Sequence, residues 1–269
     1  MFAGTQGVFR VSIFQAILYG IVQGITEFLP VSSTAHLDLM PWIFGWQQPG
    51  NVFDVALHLG TAIAVIVFFR KDWVWLIRAG FTDAKSRDGR FFWAIMIATV
   101  PGAVAGVLLD PLMSGFSPLL TGILLITMGV VLYLCDRLGK TEVGLESMGL
   151  RRSLIVGVAQ VLAIIPGVSR SGITMSAGRA VGVDREGIAK FTFLLSTPII
   201  LGDALFHAKD LPGVQIPAAP FLAAVLTAAV VGILAIRFLL QYLKTRSLMV
   251  FSLYRFILGG FVIVLSLIR

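Results

Sequence analysis

The fourteen residues QGITEFLPVSSTAH, Gln23 to His36, bring together an amide, a carboxylate, three hydroxyls and an imidazole. Gln23 and Glu27 are four apart, which puts them on one face of a helix. Pro30 then interrupts that helix, so Ser32, Ser33 and Thr34 fall at the start of the next one. Serine and threonine there cap free backbone N–H groups, and the same helix end is a ready site for an anion. His36 follows just inside. An acid, a hydroxyl and an imidazole beside a bound anion have the types needed for a general base, a nucleophile and a general acid. The plainer uses are a carboxylate bonded to a neighbouring helix, capping hydroxyls and a packed histidine.

A second stretch, PGVSRSGIT from Pro166 to Thr174, adds a fixed positive charge. Arg170 stands between Ser169 and Ser171, with Thr174 one helical turn further on. A guanidinium presents a planar fork that matches phosphate oxygens, and at bilayer depth it needs a partner or a ligand. An arginine that merely reaches for the headgroup layer would keep basic neighbours, whereas this one is bracketed by hydroxyls. Gly167 and Gly172 permit close backbone approach. Together the two stretches have the makings of a phosphate site, with Arg170, Ser169, Ser171, Thr174, Gln23, Ser32 and Thr34 as binding groups. Glu27, Ser33 and His36 are the reactive candidates.

The rest of the chain shows where such a site would sit. Of its 269 residues 57% are hydrophobic and 13% charged, with a mean hydropathy of +0.93, against roughly 25% charged in soluble domains. This is the composition of an all-α polytopic membrane protein. The single cysteine, Cys135, excludes an internal disulfide. The first ten residues lack the apolar core and cleavage site of a signal peptide. A net charge of +7 reads as basic cytoplasmic loops, not as a nucleic-acid surface.

Apolar runs of spanning length, ~17–25 residues, cover Val52–Phe69, Phe91–Leu109, Phe116–Cys135, Ile188–Phe206, Phe221–Leu240 and Leu248–Ile268. Two more are broken: Val11–Trp46 at Leu29 to Ser32, and Ser153–Val183 at Pro166-Gly167. GIVQGITEFLPVSST and GVAQVLAIIPGVSRS are a weak repeat, pairing Gln23 with Gln160 and Pro30 with Pro166, and three spans follow each copy. Three crossings put the second copy on the opposite face from the first. The expected fold is therefore two inverted-topology repeats, each a re-entrant helix–loop–helix plus three transmembrane helices, a plan that puts a site where the broken helices meet. Residues 1–269 form one membrane domain, with repeat one at 11–135, a cytoplasmic loop at 136–152 and repeat two at 153–268. Lysine and arginine cluster at 70–90, at 137–152 and at Lys244 and Arg246, while 47–51 and 110–117 have none and 207–217 only Lys209. The basic set marks the cytoplasmic side.

At these residues the chain resembles the undecaprenyl-pyrophosphate phosphatase family, the bacitracin-resistance proteins of bacterial membranes, over nearly its whole length. The anchors are the Gln/Glu-x-x-x-Glu motif at Gln23 and Glu27, continued by EFLPVSSTAH, and PGVSRSGIT; FDVALHLGT and FTFLLSTPIILG are similar to family segments as well. Gln23 stands where many members have Glu, and Ala35 where Gly is frequent. The resemblance implies a re-entrant inverted-repeat fold in the bacterial cytoplasmic (inner) membrane, with the site open to the periplasmic or outer face. It implies hydrolysis of undecaprenyl pyrophosphate to the monophosphate, recycling the lipid carrier of cell-wall synthesis and conferring bacitracin resistance. It also implies a divalent cation, Mg²⁺ or Ca²⁺, with Glu27 as its ligand or as general base, and is compatible with a homodimer. Ser33, His36 and an activated water share the nucleophile's role at this stage.

The competing function is transport of a lipid phosphate, which needs the binding groups but no nucleophile. The other lipid phosphatase type needs a histidine six residues after Arg170, where Ser176 stands. The i,i+4 pairs Asp54/His58 and Asp203/His207 could bind metal but lie near span ends, where solvated roles are commoner. Lys190 and Arg255 read as ion partners within the bundle or as snorkelling residues.

Overall fold

The computed structural model describes residues 11–109, 117–141, 143–207 and 217–269, without the side chains of 51, 52 and 203–207. Most of the two expected loops at 110–117 and 207–217 lies outside the described residues, as do the side chains of Asp203 and His207. The helices in chain order are α1 (Ile13–Thr26), α2 (Ser33–Phe44), α3 (Asn51–Phe68), α4 (Arg70–Thr82), α5 (Arg87–Leu109), α6 (Pro118–Leu138), α7 (Leu150–Ala159), α8 (Arg170–Ala180), α9 (Arg185–His207), α10 (Ala218–Leu243) and α11 (Met249–Ile268). A 3₁₀ turn, Gln160–Ile164, follows α7. Helices α5, α6, α10 and α11 are long and apolar enough to cross a membrane. They expose Val104, Leu120, Leu226 and Phe261, while Gln23, Thr61 and Thr192 are buried. Apolar outside and polar inside is the distribution that lipid imposes on a multi-pass helical protein. Helices α3 and α9 form the inner wall, with Phe191, Phe193 and Leu194 of α9 fully covered.

Both broken segments are broken in the structure. Ser12 starts α1 with a capping box, its Oγ accepting from Gln15 N–H while Gln15 Oε1 accepts from Ser12 N–H. The helix lies on α10 along small residues: a Cβ on Gly24 would sit 2.8 Å from Val231 Cβ, so only glycine allows this approach, as is common between membrane helices. Pro30 then prevents α1 from running on into α2. In the second segment α7 packs on α5, with Gly157 against Ala98, and α8 packs on α6. The two segments are thus each seated on a span of the other half.

Ser32 and Ser169, the N-caps of α2 and α8, have φ of +75° and +76°. These are the only non-glycine residues with positive φ among the described residues, a conformation costing about 1–3 kcal/mol. Aligned on these serines, Gln23 pairs with Gln160 and Ser33 with Arg170, but Pro30 falls opposite Gly167. The expected proline-to-proline pairing is therefore one residue out of register.

A second difference lies at 70–90, expected as a loop. Residues 70–82 form α4, which turns 74° away from α3. Leu76 and Gly80 bury one side of it, and Trp93 Nε1 donates to Gly80 O at 3.0 Å. The other side exposes Val74, Trp75 and Phe81 beside Lys71 and Arg78, the character of a helix lying in a membrane interface. Lys190 pairs with Asp72 of this helix at 2.6 Å, which of the two roles expected of it, ion partner or snorkelling residue, is the first.

Near the basic loops Asp136 ties four helices together. Its Oδ1 accepts from Arg179 Nε at 3.2 Å and Arg185 Nε at 2.7 Å, and its Oδ2 from Leu248 N–H at 2.9 Å. Arg179 is fully buried. Asp136→Ala leaves that guanidinium without its counter-charge and is expected to destabilise the protein by about 3–5 kcal/mol, read as a fall in the unfolding midpoint in detergent.

Candidate active site

Glu27 ends α1 and is the hub of the site, with its side chain only 4% exposed. Three donors converge on it from two segments. Ser33 Oγ donates to Glu27 Oε2 at 2.7 Å, Gln23 Nε2 to the same oxygen at 3.2 Å, and Arg170 Nη2 to Oε1 at 3.2 Å. The tight turn through Pro30 folds Ser33, six residues downstream, back onto the carboxylate. The positive φ at Ser32 starts α2 with Ser33 in its first turn, where backbone N–H groups have no acceptor within the helix.

Two polar atoms here lack partners among the described residues. Arg170 Nη1 is buried and unbonded, and so is Gln23 Oε1. A buried, unpaired donor on a guanidinium is costly, and beside two helix N-termini it is the natural place for a phosphate oxygen.

The remaining candidates are arranged otherwise. His36 Nδ1 lies 2.7 Å from Ser32 O and its Nε2 2.6 Å from Tyr254 Oη, with the two rings stacked 8° from parallel. A carbonyl can only accept, so Nδ1 carries the proton and neutral His36 accepts from the tyrosine through Nε2. Both nitrogens are engaged. Ser32 Oγ accepts from Ala35 N–H, and Ser169 Oγ from Gly172 N–H at 3.1 Å, so both act as caps. Ser171 Oγ donates to Leu29 O at 3.0 Å, across the two segments, and Thr174 Oγ to Arg170 O at 2.7 Å. Thr34 is exposed. The structure thus brings Gln23, Glu27, Ser33 and Arg170 into one cluster and gives Ser169, Ser171 and Thr174 bonds within the protein.

Sequence reasoning left two neighbours outside the site. His58 Nε2 lies 4.0 Å from Glu27 Oε2, and Arg255 is buried behind both turns. The i,i+4 spacing of Asp54 and His58 was the available signal for the first. A lone arginine inside an apolar span was the signal for the second. In the other segment, Gln160 takes the place of Gln23 but donates to Ala98 O at 2.9 Å, and apolar Ile164 stands opposite Glu27. Of these two aligned positions, only the one in the first segment carries an acid.

The cluster does not fit a metal centre held by side chains. Both Glu27 oxygens are engaged by donors, one of them the Arg170 guanidinium. Among the described residues no group of three or more His, Cys, Asp or Glu side chains could hold an ion.

The chain is similar to known proteins over most of its length. The family model described as "Bacitracin resistance protein BacA" matches residues 16–261. An undecaprenyl-diphosphatase of Moorella thermoacetica is 49% identical over 260 residues, covering 96% of this chain and 99% of its own. One from Desulforudis audaxviator is 50% identical over 259 residues, covering 95% and 98%. A more distant one, from Nocardioides, is 42% identical over 265 residues, covering 95% and 97%.

Proposed function

Since the chain belongs to the bacitracin resistance protein BacA family, we propose that Glu27, Ser33 and Arg170 form the site at which it hydrolyses undecaprenyl pyrophosphate to undecaprenyl phosphate and inorganic phosphate. One observation carries the assignment. The Ser33 hydroxyl is bonded to a buried carboxylate, 2.7 Å away, while the guanidinium on that carboxylate's other oxygen keeps an unpaired N–H. A nucleophile, its base and an anion receptor are therefore preassembled.

In this reading the terminal phosphate lodges against Arg170 Nη1 and the first N–H groups of α2 and α8. Glu27 takes the Ser33 proton as Oγ attacks phosphorus. The bond to the bridging oxygen breaks, and undecaprenyl phosphate leaves with the proton that Glu27 took, which restores the carboxylate. Water, deprotonated by Glu27, then attacks the phosphoserine, and the Ser33 oxygen leaves with that proton as phosphate is released. Arg170 neutralises the charge on the transferring group. Gln23, bonded to Glu27, orients the base. His36, bonded through both ring nitrogens, holds the Ser32 carbonyl and Tyr254 in this reading and leaves the attack to Ser33. A divalent cation, which the resemblance implies, would find too few ligands among these side chains and would have to draw on the substrate, where it would neutralise diphosphate charge.

Several finer points go with it. The exchange of partners, α1 on α10 and α7 on α5, together with the matched strained serines, supports two inverted repeats. The basic stretches support a cytoplasmic face at 70–90 and 137–152, with the first broken segment entering from the outer face of the cytoplasmic membrane.

Phosphate release from undecaprenyl pyrophosphate by purified protein in detergent tests the assignment; binding without release would favour a lipid-phosphate transporter. Ser33→Ala is expected to lower turnover by about 100-fold, at the low end of what positioned acid–base chemistry supplies, and to abolish a trappable phosphoserine. Undiminished turnover in that variant would transfer the attack to a water held by Glu27.

A further inference from the structure

Arg255 sits at the middle of the site's support and touches none of its reactive groups. It is fully buried in α11, where a charge needs strong compensation. All its hydrogen-bond partners among the described residues are carbonyl oxygens. Nε donates to Leu125 O at 3.2 Å, Nη1 to Pro30 O at 3.2 Å, and Nη2 to Gly167 O at 2.7 Å and Val168 O at 3.1 Å.

Those acceptors are where the chain most needs donors. Pro30 belongs to the turn between α1 and α2, and Gly167 and Val168 to the turn before α8. Interrupted helices leave carbonyls without N–H partners, and lipid offers none. A planar fork with five N–H donors serves three separate segments at once, which an ammonium on a flexible stem does not.

We infer that Arg255 is a positioning residue, one that sets the register between the two half-sites by holding both turns on a single guanidinium. The turn at Pro30 carries Glu27 and Ser33, and the turn at Gly167 carries Arg170. Among the described residues, Ser171, through its bond to Leu29 O, also ties the turns directly without touching Glu27. The inference rests on the hydrolytic reading of Glu27, Ser33 and Arg170.

It makes a specific kinetic demand. Arg170 and the α8 N-terminus hold the phosphate from one turn, whereas Ser33, at the N-terminus of α2, attacks from the other. Loss of register therefore damages attack far more than binding. The test compares wild type and Arg255→Lys, both purified in detergent. Turnover of undecaprenyl pyrophosphate is measured beside the stoichiometry of a non-hydrolysable methylene-bridged polyprenyl diphosphonate. The expected result is a kcat about 100-fold lower, the scale of a 1 Å misplacement, with KM within about threefold and full analogue stoichiometry. A kcat unchanged per analogue-binding site would overturn the inference, because Arg255 would then serve stability alone. A raised KM with kcat retained would overturn it too, by making Arg255 a direct phosphate ligand.

If Arg255→Lys does not accumulate in membranes, Ser171→Ala is read in the same way. Loss of one cross-turn hydrogen bond should lower kcat about fivefold at constant KM, and an unchanged kcat would sink the register idea. A wild-type protein that releases no phosphate would be the failure of the hydrolytic reading, a different result.

Discussion

Glu27→Gln is expected to reduce kcat for undecaprenyl pyrophosphate about 10⁴-fold, the upper end of the range for a positioned general base. The substitution keeps the volume and removes the charge. An amide cannot take the Ser33 proton, and it also loses the charge-assisted bonds from Ser33 and Arg170. Because Arg170 Nη1 is not engaged by the carboxylate, phosphate binding should survive. KM should therefore change little, and the effect should be almost all in kcat. Phosphate release in detergent, followed to substrate saturation, checks this. A variant retaining a tenth of wild-type kcat would remove Glu27 from the role of base.

Arg170→Ala should fail differently, losing about 10³-fold in kcat/KM, on the scale of removing one oxyanion donor, with both kcat and KM affected. It also leaves the Glu27 carboxylate, 4% exposed, without a cation at 3.2 Å. Breaking a buried pair in this way costs about 3–5 kcal/mol; because Arg170 is itself 22% exposed, the lower figure applies. Arg170→Ala/Glu27→Gln separates the two effects. The double variant should recover most of the lost stability, since no charge is stranded, while remaining inactive. A double variant no more stable than Arg170→Ala would show that the pair is held by something other than mutual charge.

These contrasts depend on a division of labour that was partly readable in advance. Both breaks were legible because lipid cannot satisfy the backbone groups that a proline frees in an apolar run, and the hydroxyl residues beside each proline can. Glu27 and Arg170 stood out for a related reason, since each is expensive at bilayer depth. The helix α4 was missed because six basic residues between 70 and 90 look like a loop when only charge is weighed. Its shape comes from Leu76 and Gly80 packing inward and the Trp93 bond to Gly80 O.

Where Ser33 and His36 stand relative to Glu27 was beyond local reasoning, which is why the sequence leaves Ser33, His36 and water side by side. All three lie within reach on a sequence that merely places them near one helix end. Positive φ at Ser32 and the fold of the turn put Ser33 on Glu27, and Tyr254, 218 residues from His36 in sequence, occupies the imidazole. The same holds for Arg255, which reads as an ion partner within the bundle or a snorkelling residue until the two turns are seen on either side of it.

The amino-acid order alone settles that this chain lives in lipid, that its helices break at two points, and which polar groups those breaks must carry. It does so because burial in a bilayer penalises every irregular peptide and every charge locally, residue by residue. Which of those groups meet, at what distance and with which atoms left unpaired, was decided only by packing. Glu27 and Arg170 are 143 residues apart, and their contact rests on how α1 seats on α10 and how α8 and α11 both seat on α6, a property of no single segment.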